Sequence, residues 1–146
     1  MIVAWDAVSP GDELPELILE MTATRIAAGA IATRDFMPVH HDKAYANSQG
    51  APDIFMNILS TNAYCSRFVA DWAGPNAMVK RLSIRLGVPV FPGTTLVFTG
   101  AVTSFSMNAG EGVAEVSFVA RTDLGDHATG TAVVSRPIDD SARGSS

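Results

Sequence analysis

With 146 residues, 47% of them apolar and 17% charged, the chain has the size and balance of one globular domain, which needs neither a disulfide nor a structural metal to hold its core. A formal net charge of −5 excludes the dense basic patch that nucleic acid or an anionic membrane requires, and no apolar run approaches the ~20 residues of a membrane span. The lone cysteine, Cys65, excludes an internal disulfide framework and a cysteine-based zinc site.

Residues 1–146 read as a single domain, with residues 1–16 an irregular lead-in and 137–146 a flexible polar tail. Asp6, Asp12 and Glu13 lie among Pro10 and Pro15 where a signal peptide would carry a basic start and an apolar core, so the expectation is a cytoplasmic protein. Leu17 to Met21 predicts a short strand, and the alanine-rich Thr24 to Thr33 a helix that tolerates Gly29. Pro38 disfavours helix at Met37, which puts Asp35 to Asp42 on a loop; a short helical piece follows from Lys43 to Ser48.

Asp53 is the expected N-cap of the longest apolar stretch, Ile54 to Trp72, which stops at Gly74 and Pro75. Ile54, Phe55, Ile58, Leu59, Cys65, Phe68, Val69 and Trp72 recur at helical spacing, and Met56, Ala63 and Tyr64 widen the apolar face, so this helix is expected to be buried on most sides. Beyond Pro75 the period shortens to two. Leu82, Ile84 and Leu86 alternate with Arg81, Ser83 and Arg85; Leu96, Phe98 and Val102 share one parity; Ala114, Val116, Phe118 and Ala120 share another; His127 to Ser135 alternates last. Turns fall at Phe91-Pro92-Gly93, Asn108-Ala109-Gly110 and Leu124-Gly125-Asp126. One strand, helices and then about four antiparallel strands predict an α+β architecture. An antiparallel sheet wrapped round one long central helix, the hotdog fold, buries both the helix and one sheet face.

Of the three histidines, His40 and His41 follow Asp35 in one loop. A carboxylate beside an imidazole is a pair tunable around neutrality, suited to moving protons near pH 7. The spacing alone leaves a plainer reading open, in which Asp35 caps a helix and the histidines are half-exposed. His40-His41-Asp42 lacks the second His or Cys cluster that a metal site needs, and no metal is expected. Gly110 and Gly112 open no helix, no serine occupies a nucleophile elbow, and Cys65 reads as core.

The run ATRDFMPVHHDKAYA resembles the hydratase motif of the MaoC-like and (R)-specific enoyl-CoA hydratases, with Asp35, Pro38, Val39, His40 and Ala44 in the matching places. Met37 departs from it, standing where the common pattern has an asparagine whose amide supports the site. Together with DIFMNIL (53–59), DWAGP (71–75), RLGVP (85–89) and LGDH (124–127), the run is similar to the small subunits of heteromeric MaoC-like hydratases of bacterial steroid side-chain degradation, over about residues 33–134. Those subunits also lack the asparagine.

The resemblance implies hydration of an α,β-unsaturated acyl-CoA, with Asp35 and His40 as the acid/base pair and no cofactor beyond the thioester substrate. It places a donor for the enolate oxygen near Met56 or Asn57, where the dipole of the long helix is positive; the plainer alternative for Asn57 is a polar residue at a subunit interface. Lys80, Arg81 and Arg85 are the densest cationic group. Arg81 and Arg85 share a strand face that suits coenzyme A phosphates or simply solvent, and Phe36 and Met37 suit an acyl pocket or the core. The implied partner is a second MaoC-like hotdog chain or a copy of this one. An (R)-specific hydratase of straight-chain enoyl-CoA, an acyl-CoA thioesterase using Asp53, and a non-catalytic acyl-CoA-binding subunit are the alternatives.

Overall fold

A computed structural model describes residues 3–138. Strand β1 (Leu17–Met21) leads into helices α1 (Ala23–Ala32), α2 (Lys43–Ser48) and α3 (Ile58–Ala73), and strands β2 (Met78–Leu86), β3 (Thr94–Asn108), β4 (Glu111–Thr122) and β5 (Gly125–Pro137) complete the order. All strands join one antiparallel five-stranded sheet in the order β1-β3-β4-β5-β2. The sheet curls round α3, as the pattern of periods predicts, and β2 is left as an edge that carries exposed Met78 and Leu86. The tail expected from 137 begins with the last residue of β5; residues 139–146 lie outside the described residues.

The core forms where α3 meets the inner sheet face. Cys65, Phe68, Val69 and Trp72 point inward to Leu96, Phe98, Val102, Ala114, Val116, Phe118, Ala132 and Val134, all buried. Phe68 stacks between Phe98 and Phe118 at centroid distances of 5.7 and 6.3 Å; truncating such a ring typically costs about 3–5 kcal/mol. Gly100 makes room for it, because a Cβ there would sit 3.0 Å from the Phe68 ring and 2.8 Å from the Ser117 carbonyl. Gly29 does the same between helices: a side chain on α1 at that point would fall 2.5 Å from Ser60 Oγ on α3.

The structure corrects the start of the long helix. Asp53 is not its cap; α3 begins four residues beyond the expected start, at Ile58, with Asn57 in extended conformation as N-cap and its Oδ1 accepting from Ser60 N–H at 3.3 Å. Residues 54–57 lie outside helix and strand, with Ile54 and Met56 buried, and Met56 N–H donates to Val90 O at 3.0 Å. Nor is α3 buried on most sides in this chain: Ile58, Leu59, Ala63, Arg67, Ala70 and Asp71 are exposed. The last turn is shifted by about one residue, since Thr122 pairs with Gly125 across Asp123 and Leu124.

The lead-in is irregular but packed. Trp5 is buried, its indole N–H donates to Gly112 O at 3.0 Å, and its ring lies 5.2 Å from Trp72 and 5.8 Å from Phe105. Arg136 clamps the same corner, donating to Val3 O and to Ala73 O at the C-terminus of α3, where the helix dipole favours a cation.

Candidate active site

Helix α1 stops at a backbone device. Thr33 caps it, Arg34 takes a left-handed conformation (φ 57°) and Asp35 N–H returns to Ala30 O at 2.9 Å. A non-glycine residue in this region is held against about 1–2 kcal/mol of steric strain. It turns the chain so that Asp35 leaves the helix axis. Pro38 then starts a single 3-10 turn through His40, its fixed φ suiting the first position.

These turns bring Asp35 and His40 together, with Oδ2 3.4 Å from Nε2. The His40 side chain is only 10% exposed and that of Asp35 26%, so the imidazole is held while the carboxylate keeps access to solvent. His40 Nδ1 lies 2.7 Å from Phe55 O, which can only accept, so Nδ1 carries a hydrogen and Nε2 is the nitrogen that faces Asp35, across a gap that a shared proton or a water must bridge. The Phe55 ring meets the imidazole edge-on at 5.1 Å. His41 is exposed and its Nε2 faces Phe36 O at 3.3 Å, away from the carboxylate.

Asp35 is tied by two donors. Met37 N–H reaches Oδ1 at 3.2 Å, and Asn57 Nδ2 reaches Oδ2 at 3.2 Å while also donating to Thr33 Oγ1 at 2.9 Å. The Met37 N–H, then the Asn57 amide and the nearby His40 hold its carboxyl below the ordinary carboxylate range, against an opposing effect of burial. Met37 therefore supports the carboxylate through its backbone, and the side-chain amide comes from Asn57. This link was not foreseen from the sequence; the signal available was an asparagine standing at a helix-start position.

The remaining expected residues divide. Met56 is buried with its N–H committed to Val90, whereas no acceptor for the Ile58 and Leu59 N–H groups is found among the described residues, as is usual at a helix start. Arg81 and Arg85 stand exposed on the outer side of β2 with Ser83 between them, paired in register to Val133 and Thr129. Arg85 lines an open groove of roughly 660 Å³ on the outer sheet face with Arg121, Asp126 and Thr129; the groove contains neither Asp35 nor His40. Phe36, Met37, Ile58 and Leu59 are exposed rather than core. Asp53 accepts from Ile54 N–H at 2.7 Å and lies 3.8 Å from Lys43 Nζ, so the carboxylate expected at the helix start for thioester cleavage is not there. Cys65 is buried and its thiol is pushed up to about 12 by desolvation, an inert core group. Among the described residues no group of His, Cys, Asp and Glu is arranged to hold a metal, and no helix is long and apolar enough to cross a membrane.

A curled sheet round one helix with an Asp–His pair on the loop after α1 is the arrangement of a hotdog hydratase. The chain belongs to the MaoC like domain family, which it matches over residues 8–126. It is 46% identical over 125 residues, 86% of this chain and 94% of the relative, to the 3-oxo-4,17-pregnadiene-20-carboxyl-CoA hydratase beta subunit of Mycobacterium tuberculosis. In structure it is similar to a chain of the ChsH1-ChsH2 complex from Mycobacterium tuberculosis, with TM-score 0.81 and 45% identity over 88% of this chain and 98% of that one. The (R)-hydratase from A. caviae involved in PHA biosynthesis shares the fold, with TM-score 0.78 and 23% identity over 88% of this chain and 96% of that one.

Proposed function

We propose that the chain is the catalytic small subunit of a heteromeric enoyl-CoA hydratase, a hydro-lyase that adds water to the α,β-unsaturated thioester of a steroid side chain. The observation that carries this reading is the 3.4 Å approach of Asp35 Oδ2 to His40 Nε2, with both groups oriented from behind. A water held between them loses a proton to the pair as its oxygen bonds to Cβ, and the enolate carbon Cα takes a proton from the pair, which ends as it began. Charge that builds on the thioester oxygen is met by the Ile58 and Leu59 N–H groups at the positive end of α3. The atoms balance with water and thioester alone, so no cofactor is invoked.

The partner reading rests on the surface round the pair. Exposed Phe36, Met37, Ile58 and Leu59 border it, and a second MaoC-like chain over them completes an acyl pocket. That the similar beta subunit is named for a pregnadiene-carboxyl-CoA hydratase supports a polycyclic acyl group. Arg81 and Arg85 are assigned to coenzyme A phosphates supplied across the assembly, and the protein to the cytoplasm, where acyl-CoA is made and used. The test is co-purification with a second MaoC-like chain and an assay of enoyl-CoA hydration over a panel of acyl groups. Activity on a steroid enoyl-CoA that rises on adding the partner is expected. A chain fully active alone on short straight-chain substrates overturns the heteromeric reading in favour of an (R)-specific hydratase.

A further inference from the structure

A second histidine lies behind the site, and the fold is shaped round it. On β5 the register against β4 slips between Ala120/Ala128 and Arg121/Asp126, which leaves His127 as the extra residue of a bulge. The bulge puts two successive residues, His127 and Ala128, in the interior. Gly87 admits the bulged backbone, since a Cβ there would stand 2.2 Å from Asp126 O, and Gly87 and Val88 N–H bond to His127 O and Asp126 O. His127 Nδ1 is 2.6 Å from Val88 O and Nε2 is 2.9 Å from Thr61 Oγ1 on α3. A carbonyl only accepts, so Nδ1 is the protonated nitrogen and the Thr61 hydroxyl donates to Nε2.

Thr61 belongs to the turn that Asn57 caps. Thr61 N–H bonds to Asn57 O at 3.2 Å, its hydroxyl lies 3.4 Å from the same oxygen, and Asn57 Nδ2 holds Asp35 Oδ2. A continuous polar chain thus runs from Val88 O through His127, Thr61 and Asn57 to the carboxylate. We propose that His127 is a positioning residue: as the Nδ1–H tautomer it clamps the first turn of α3 through Thr61, and so fixes the Asn57 amide that aims Asp35 at His40. Burying an imidazole costs desolvation that an apolar side chain of similar size avoids, and what the imidazole supplies in return is a directional tie from sheet to helix start. The catalytic part of this inference rests on the hydratase reading.

The test uses the full chain with its partner chain. Thr61→Val removes the hydroxyl and keeps the shape; it is expected to lower kcat about tenfold with KM little changed, as small misplacements of a reacting group do. Thr61→Ser is expected to restore most of the rate. Because the clamp acts through Asp35, Thr61→Val is expected to add little to the loss already caused by Asp35→Asn. An unchanged kcat in Thr61→Val, failure of Thr61→Ser to recover the rate, or a full tenfold loss on top of Asp35→Asn overturns the proposal. Nitrogen chemical shifts of the His127 ring and the signal of the Asn57 side-chain amide give a readout apart from turnover. If the wild-type complex hydrates no enoyl-CoA, the hydratase reading fails on its own account. The clamp is then judged by these signals: an Nε2–H tautomer, or an Asn57 amide unmoved by Thr61→Val, overturns it.

Discussion

His40 and His127 are anchored alike, and the roles proposed for them differ. Each directs Nδ1 at a backbone carbonyl, Phe55 O at 2.7 Å and Val88 O at 2.6 Å, and each points Nε2 at an oxygen. For His40 that oxygen is the carboxylate of a partly exposed Asp35; for His127 it is the hydroxyl of fully buried Thr61. A carbonyl anchor fixes ring and tautomer in both. On the proposed reading, the second partner and its access to water then separate an imidazole that exchanges protons from one that only holds position. His41, with a long contact to Phe36 O on the surface, is assigned neither role.

The sharpest way to break this contrast is substitution at the open pair. Asp35→Asn and His40→Ala are each expected to reduce hydration by about two to four orders of magnitude with unchanged circular dichroism, and His41→Ala by far less. Equal losses at the two neighbouring histidines would show that the Nε2 geometry does not select the catalytic ring.

Acid titration of stability separates the two regions next. Desolvation lowers the pKa of His127 below its ordinary 6.5, the Val88 bond opposing it in part. The unfolded chain therefore takes up a proton that the folded one resists, so this contribution is complete above about pH 6.5 and is lost as pH falls through the folded value. Asp35, also lowered, loses its contribution only as pH falls below its ordinary 3.8. Melting temperature is expected to decline in an upper acid window that disappears in His127→Gln and persists in Asp35→Asn. A wild-type curve flat from pH 7 to 5 would mean that His127 is not held neutral by the fold.

The smallest effect is expected at Asp53→Ala. Its pair with Lys43 is partly exposed at 3.8 Å, it caps no helix and it accepts one local bond from Ile54 N–H, so stability is expected to fall by no more than about 1 kcal/mol, with turnover unaltered. Loss of activity there with the melting temperature intact would return a carboxylate at this position to the chemistry.

What could be read from the sequence was whatever depends on near neighbours or on period. The alternation in β2 to β5 and the Gly74-Pro75 stop follow from local rules, whereas the pairing of Asp35 with His40 is only permitted by their spacing and is implied by the family resemblance. The start of α3 did not follow from local rules, because Asp53 and Asn57 are both good caps, and the choice fell to a distant contact, Met56 N–H with Val90 O, that keeps the residues before Asn57 out of the helix. The same limit hid the support of the site. Asn57 meets Asp35 across 22 residues and His127 meets Thr61 across 66, through a one-residue slip in register that leaves no mark in the hydrophobic pattern. Ile58 and Leu59 counted as core by spacing, yet face outward beside the pair.

The packed lead-in also bears on the order of folding. Trp5 finds its hydrogen-bond acceptor 107 residues further on, at Gly112, and its aromatic neighbours on α3 and β3. The full set of partners exists only once the helix and the β3–β4 hairpin have come together, so the ring is expected to dock after that step. The indole of Trp5 is thus expected to report optically on the closing of this corner, with Trp72→Phe isolating its signal from that of the neighbouring indole.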